Sequence, residues 1–320
     1  MSVFSTLSIA ALAAPAALFG AAHLSTRKQA REAERLVPPA GQFHQTAHGR
    51  LHYVEMGPQK AQTLVLIHGL SGQLQHFTYA LAGRLAQDFH IIALDRPGCG
   101  YSTRNSDTLA RLPAQAAMIQ ELLDAKGVKN PVLVGHSLGG AVSLAMALAA
   151  ADRIRGLALL APLTHPSAGG ADAFKGLIVH SPMVRRLMAH TVAIPAAKRT
   201  AEAVLTQIFA PETCPPDFLD RAGGILGLRP QSFIAASADA TLLYPTIAEQ
   251  ADRYLRELRT PGAVLFGADD AILNAEEQGR AMEAFGLKCR IEPGFGHMLP
   301  ITQPALCEDF IRATVASLPT

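Results

Sequence analysis

Val132-Leu133-Val134-Gly135-His136-Ser137-Leu138-Gly139-Gly140-Ala141-Val142-Ser143-Leu144-Ala145-Met146 reads as a short apolar strand, a tight turn centred on Ser137, and an apolar helix. Other short apolar runs share the pattern: Thr63 to Ile67, His90 to Leu94, Leu157 to Leu160, Ala263 to Phe266 and Lys288 to Ile291. Turn-formers follow these runs, and helical stretches recur between them, at Thr108 to Lys126, Leu138 to Ala151, Asn274 to Phe285 and Gln303 to Ser317. Strands alternating with helices predict a mainly parallel central sheet covered on both faces, an α/β architecture that binds ligands at the carboxyl ends of its strands. A strand pair, Gln42 to His48 with Leu51 to Glu55, is expected to lead into it.

The alternation stops between residues 162 and 258, where prolines and glycines interrupt helical patches. That stretch is too long for a loop and is expected to be an inserted helical lid between two strands. The expected core is then residues 41–161 with 259–320.

The 320 residues are enough to bury a core without disulfide or metal staples. With 28 basic against 26 acidic residues there is no electrostatic footprint for nucleic acid. Four cysteines (Cys99, Cys214, Cys289, Cys307) form no Cys-x-x-Cys pair, so a reduced structural role is expected; Cys289 with Cys307 is the pair to test in an oxidising compartment. Charged residues make up only 17% of the chain, and the N-terminus accounts for part of the shortfall. Val3 to Ala22 holds no charge, and as a helix its twenty residues would rise about 30 Å, one hydrocarbon core. Basic side chains come only afterwards, at Arg27, Lys28, Arg31 and Arg35. By the positive-inside tendency, residues 1–26 are expected to be a single-pass membrane anchor with the rest of the chain cytoplasmic; a cleaved export signal is the alternative. Residues 27–40, with Pro38-Pro39, are expected to be a linker.

Chemistry is concentrated at the turn. Gly135-x-Ser137-x-Gly139, in its strand-to-helix context, presents a serine hydroxyl at a strained bend. The helix beginning at Leu138 aims unpaired N–H groups at the same place. A serine needs a base. Of twelve histidines, His297 is favoured because Gly294-Phe295-Gly296-His297 follows the last expected strand. A carboxylate must orient that imidazole. Asp270 is preferred at the end of Ala263 to Phe266, with Asp269 the alternative, while Asp95 is expected to brace the turn that follows it. His44, His48 and His52 recur every fourth residue but sit in a strand-like stretch, so no metal site and no cofactor are expected.

These motifs resemble the α/β-hydrolase superfamily: His68-Gly69-Leu70-Ser71-Gly72, Asp95-Arg96-Pro97-Gly98-Cys99-Gly100-Tyr101-Ser102, Gly135 to Gly139, Gly267-x-x-Asp270 and Gly294 to His297 occur in the family's order. The resemblance implies a Ser137, Asp270, His297 triad and favours the last residue of the Gly-x-x-Asp turn as its acid. It also implies an oxyanion hole from the backbone N–H groups of Leu138 and Leu70, with Ser71 a weaker candidate. The family's haloalkane dehalogenases and epoxide hydrolases use Asp as nucleophile; Ser137 argues against both, and the absence of Trp removes the usual halide-binding residue as well. The expected substrate is an apolar ester of a small molecule, hydrolysed through an acyl-enzyme. Carbon-carbon bond hydrolysis of a dienoate-type diketone and cofactor-free perhydrolase or haloperoxidase chemistry are the alternatives, with a non-catalytic binding module behind them. Phe174, Met183 and Met188 are expected to line the substrate pocket.

Overall fold

The computed structural model describes the backbone of residues 3–167 and 172–319, and the side chains of 20–167 and 174–319. Among the described residues nine strands form one sheet: β1 (Gln42–Thr46), β2 (Gly49–Met56), β3 (Thr63–Ile67), β4 (His90–Leu94), β5 (Thr103–Arg104), β6 (Val132–His136), β7 (Gly156–Leu160), β8 (Gly262–Gly267) and β9 (Leu287–Glu292). Their order is β1-β2-β4-β3-β6-β7-β8-β9, with the two-residue β5 on β2. β1, β2 and β4 pair antiparallel, and all pairs from β4 through β3 to β9 are parallel. This is the α/β-hydrolase fold that the motifs imply.

The central strands are apolar without alternation because both faces are covered. Every residue of β3, β4, β6 and β7 is buried. Ile67, Leu94, Val134, Leu160 and Phe266 are completely buried in one continuous core. The helix Leu112–Ala125 adds Ile119, Leu122 and Leu123 to it, and the helix Pro304–Ser317 adds Ile311.

Two expected helices are shorter than their periodicity suggests. The stretch from Thr108 becomes α-helical only at Leu112, because Pro113 suits a first turn and not a helix interior. The stretch from Asn274 is α-helical over Ala275–Gln278 and continues as a 3-10 helix over Arg280–Phe285. The break falls at Gly279, where a Cβ would stand 2.6 Å from the Phe266 ring, so the helix meets β8 at a point that admits no side chain.

Between β7 and β8 the chain forms a helical insertion, with α-helices at Pro182–His190, Ala193–Phe209, Phe218–Arg221 and Pro230–Glu257. The last of these packs Ile247 and Tyr254 into the main core.

The N-terminal expectations are corrected. Among the described residues no helix is long and apolar enough to cross a membrane, which overturns the single-pass assignment, the cytoplasmic placement inferred from it, and the membrane as a partner of that helix. Most of the apolar run on which the assignment rested, up to Phe19, lies outside the residues whose side chains are described. The helix Val3–Leu36 does not end at residue 26 but runs on through Arg27, Lys28, Arg31, Glu32, Glu34 and Arg35, charges that a hydrocarbon layer would exclude. Residues 27–36 are therefore helix rather than linker. This part of the helix lies on the insertion: Thr26 Oγ1 donates to the Thr191 carbonyl at 3.2 Å, and Ala33 and Val37 pack on Leu226.

Candidate active site

At the end of β6 the chain reverses into the helix Leu138–Ala149 through Ser137, whose φ of 53° and ψ of −122° are unusual for a residue with a side chain. Close packing enforces the bend. A Cβ at Gly139 would lie 1.9 Å from the Ile67 carbonyl oxygen, so the helix can cross the end of β3 only with glycine there. A Cβ at Gly69 would lie 2.9 Å from Cβ of Ser137, which places the loop after β3 directly against the serine. The serine side chain does not cap the helix, and Leu138 is its first residue, where backbone N–H groups lack intrahelical partners.

The turn after β8 separates the two candidate carboxylates. Asp270 Oδ1 accepts from the N–H groups of Ile272 and Leu273 at 2.8 and 2.9 Å, and Oδ2 accepts from His297 Nδ1 at 2.8 Å. Both side chains are almost fully buried. Asp269 is turned elsewhere, accepting from the Gly294 N–H at 2.8 Å, where it shapes the loop that carries the histidine. Nδ1 donating to the carboxylate fixes the tautomer in which the lone pair of an uncharged imidazole lies on Nε2.

His297 is held beside the elbow. Its carbonyl accepts from His136 Nε2 at 3.0 Å, and the two imidazole centroids are 5.0 Å apart, with Ser137 the next residue along the chain. Burial, and then the neighbouring His297, pushes the His136 imidazole well below the usual histidine range. It therefore stays neutral, with Nε2 as donor. Glu212 of the insertion braces the other side, accepting from the Gly296 N–H at 2.7 Å and from Thr302 Oγ1 at 2.8 Å.

Leu70, Ser137 and Leu138 open on one cavity of about 290 Å³. The insertion supplies much of its wall through Phe174, Ile178, Leu243, Tyr244 and Ile247, and the turn after β8 adds Ile272 and Leu273. Of the three pocket residues expected from sequence, Phe174 is there. Met183 is a correction: it is 81% exposed, because the helix Pro182–His190 buries its Arg185 and Ala189 side and residue 183 falls on the opposite face. Met188, on the same helix, is half-buried and does not line the cavity. Ser71 is exposed, with a φ of 55°. Asp95 is a brace: its Oδ1 accepts from the Leu74 N–H at 2.7 Å, and its Oδ2 from Tyr101 N–H at 2.8 Å and His52 Nδ1 at 2.7 Å.

Sequence reading missed Glu212, since no pattern links it to a loop 84 residues later. It also missed the cavity residues of the long helix Pro230–Glu257, whose inward face cannot be told from a core face by periodicity.

Comparison with known proteins agrees with the fold. A family model described as the alpha/beta hydrolase fold matches residues 62–304. The chain is 30% identical over 275 residues to the dihydrolipoyllysine-residue acetyltransferase component of the acetoin cleaving system of Pseudomonas putida, covering 83% of this chain and 67% of that protein. It is 33% identical over 128 residues to lipase 1 of Psychrobacter immobilis, covering 40% of each, and it spans less than half the length of other curated relatives that it matches. A solved esterase from Thermogutta terrifontis superposes with a TM-score of 0.64 at 25% identity, over 85% of this chain and 97% of the esterase.

Proposed function

The chain belongs to the alpha/beta hydrolase fold family, and on that premise we propose that it is a serine carboxylesterase acting on apolar esters of small molecules. Ser137 attacks the ester carbonyl while His297 Nε2 takes its proton. Asp270 holds the imidazole in the required tautomer and balances the charge that it gains. The backbone N–H groups of Leu138 and Leu70 receive the negative oxygen of the tetrahedral intermediate. His297 then protonates the departing alcohol, and water, activated by the same imidazole, releases the acid from the acyl-enzyme.

The observation that carries this reading is the 2.8 Å bond from His297 Nδ1 to Asp270, with the imidazole beside the residue preceding Ser137. The apolar character of the cavity supports an acyl or alkyl group as the bound part of the substrate. The insertion, which walls that cavity, acts as its lid.

Labelling with a fluorophosphonate tests the nucleophile: the wild type reacts and Ser137→Ala does not. Equal labelling of both, or of neither, removes the hydrolase reading. A series of nitrophenyl esters, run beside a vinylogous diketone, tests the substrate class. Turnover of the diketone alone would replace ester hydrolysis by carbon-carbon bond cleavage.

A further inference from the structure

The loop bearing Leu70 is gripped from behind by a charged cluster almost without exposure to water. Arg96, in the turn after β4, donates through Nε to the His68 carbonyl at 2.9 Å and through Nη2 to the Gly69 carbonyl at 3.0 Å. Its Nη1 donates to Gln115 Oε1 at 2.7 Å and to Asp239 Oδ2 at 2.8 Å. Asp239 belongs to the insertion helix Pro230–Glu257, and its other oxygen accepts from Arg104 Nη1 at 2.5 Å. The Arg96 and Asp239 side chains are completely buried and that of Arg104 nearly so.

His68 completes the grip. Its Nδ1 donates to the Gly69 carbonyl at 2.8 Å and its Nε2 accepts from the Arg96 N–H at 2.9 Å, a pattern that only the neutral ring can make. Burial, followed by the charge of Arg96, pushes this histidine well below its usual range, which keeps it neutral.

With the Gly72 N–H, which donates at 3.2 Å, three donors converge on the Gly69 carbonyl, two of them the His68 and Arg96 side chains, and that oxygen belongs to the same peptide unit as the Leu70 N–H. In this planar, trans peptide the N–H points opposite to the carbonyl, away from Arg96. Leu70 lines the cavity beside Ser137. We propose that Arg96 is a positioning residue for the oxyanion hole, and that Asp239 makes the hole's geometry depend on the seating of the insertion helix. Ala240, next to Asp239, lines the cavity, so one helix both bounds the substrate and anchors the Arg96 that aims the N–H. The inference rests on the esterase reading and adds to it a link between lid and oxyanion hole.

The test compares Arg96→Lys, Asp239→Asn and Gln115→Ala with the wild type in the full chain. Measurements are kcat and KM on a nitrophenyl ester, the inhibition constant of an alkyl boronic acid, and thermal unfolding. The boronic acid adds to the serine as a tetrahedral anion and so reports on the oxyanion hole. Losing a whole oxyanion donor costs about 100- to 1000-fold in kcat. Misaiming one donor is expected to lower kcat about 30-fold in Arg96→Lys and about 10-fold in Asp239→Asn, with KM within about twofold and boronate affinity falling in parallel. Gln115→Ala, which spares the ion pair, is expected to show the same parallel loss at about threefold, and it carries the test if the charged variants do not fold. Unchanged kcat in the folded variants, or lost kcat with undiminished boronate affinity, overturns the proposal. A wild type that neither turns over esters nor binds the boronic acid instead overturns the esterase reading beneath it.

Discussion

The sheet edge and the helical insertion face each other across one cavity but are built differently. At the edge, Ser137, Asp270 and His297 stand on turns whose backbones are held by contacts that allow little change: the close approach of Gly139 to the Ile67 carbonyl, two N–H groups on Asp270 Oδ1, and the Glu212 and His136 bonds around His297. The insertion, by contrast, presents Phe174, Ile178, Leu243, Tyr244 and Ile247 as an apolar wall, and among these Ile178 and Tyr244 are exposed. On the proposed function, the bond-making groups sit where geometry is over-determined, and the surface that would select a substrate sits where side chains can be exchanged. The Arg96–Asp239 pair joins the two regions behind Leu70, as Glu212 joins them beside His297.

If that division is right, substitutions at the edge act on kcat and those in the insertion act on preference. The largest effect is expected from Ser137→Ala, with a loss in kcat/KM of at least about 10⁴-fold in ester hydrolysis. Asp270→Asn is expected to lose about 10³- to 10⁴-fold through the wrong imidazole tautomer, whereas Asp269→Asn stays within about tenfold; a reversal of the two would move the acid to residue 269.

Acid should weaken the folded state through its buried histidines. His68 and His136 are held neutral by burial, and burial lowers His76 to about 4. A histidine whose pKa is depressed in the folded state binds fewer protons there than when unfolded. Its contribution is complete above the unfolded value of about 6.5 and is lost as pH falls towards the folded value. His76 alone is expected to remove about 3 kcal/mol between pH 6.5 and 4, measurable by urea unfolding across that range; stability that is flat from pH 7 to pH 4 would contradict its buried neutral state.

The smallest effect sharpens the comparison from the other side. Ile247→Phe fills the cavity, and it is expected to shift the preferred acyl chain shorter, lowering kcat/KM for the longest esters about tenfold while leaving the shortest nearly unchanged. Met183→Ala, on the exposed face, is expected to leave the chain-length profile unaltered.

Much of this was legible in the residues. The parallel strands are short apolar runs because they are buried on both sides, and the positions of Gly135, Ser137 and Gly139 state the bend that packing requires. The Gly-x-x-Asp pattern points to Asp270, the carboxylate that accepts from His297. What failed did so for identifiable reasons. An uncharged N-terminal run says nothing about what the charged half of the same helix rests on, and here that half packs on the insertion. Met183 and Phe209 are both large apolar residues of the insertion, yet one is exposed and the other is completely buried against Phe218, with ring centroids 5.1 Å apart.

Local sequence alone determined the strands, the elbow and the candidate serine and histidine, because backbone sterics, periodicity and glycine placement act over a few neighbouring residues; between Asp269 and Asp270 it left a choice that the family resemblance weighted towards Asp270. Only the folded chain decided which side of each insertion helix faces the cavity, that Glu212 braces the His297 loop, and that Asp239 reaches Arg96 across 143 positions. Those contacts depend on how separate elements are docked, and docking is set by the shape and charge of surfaces that exist only after the sheet has formed.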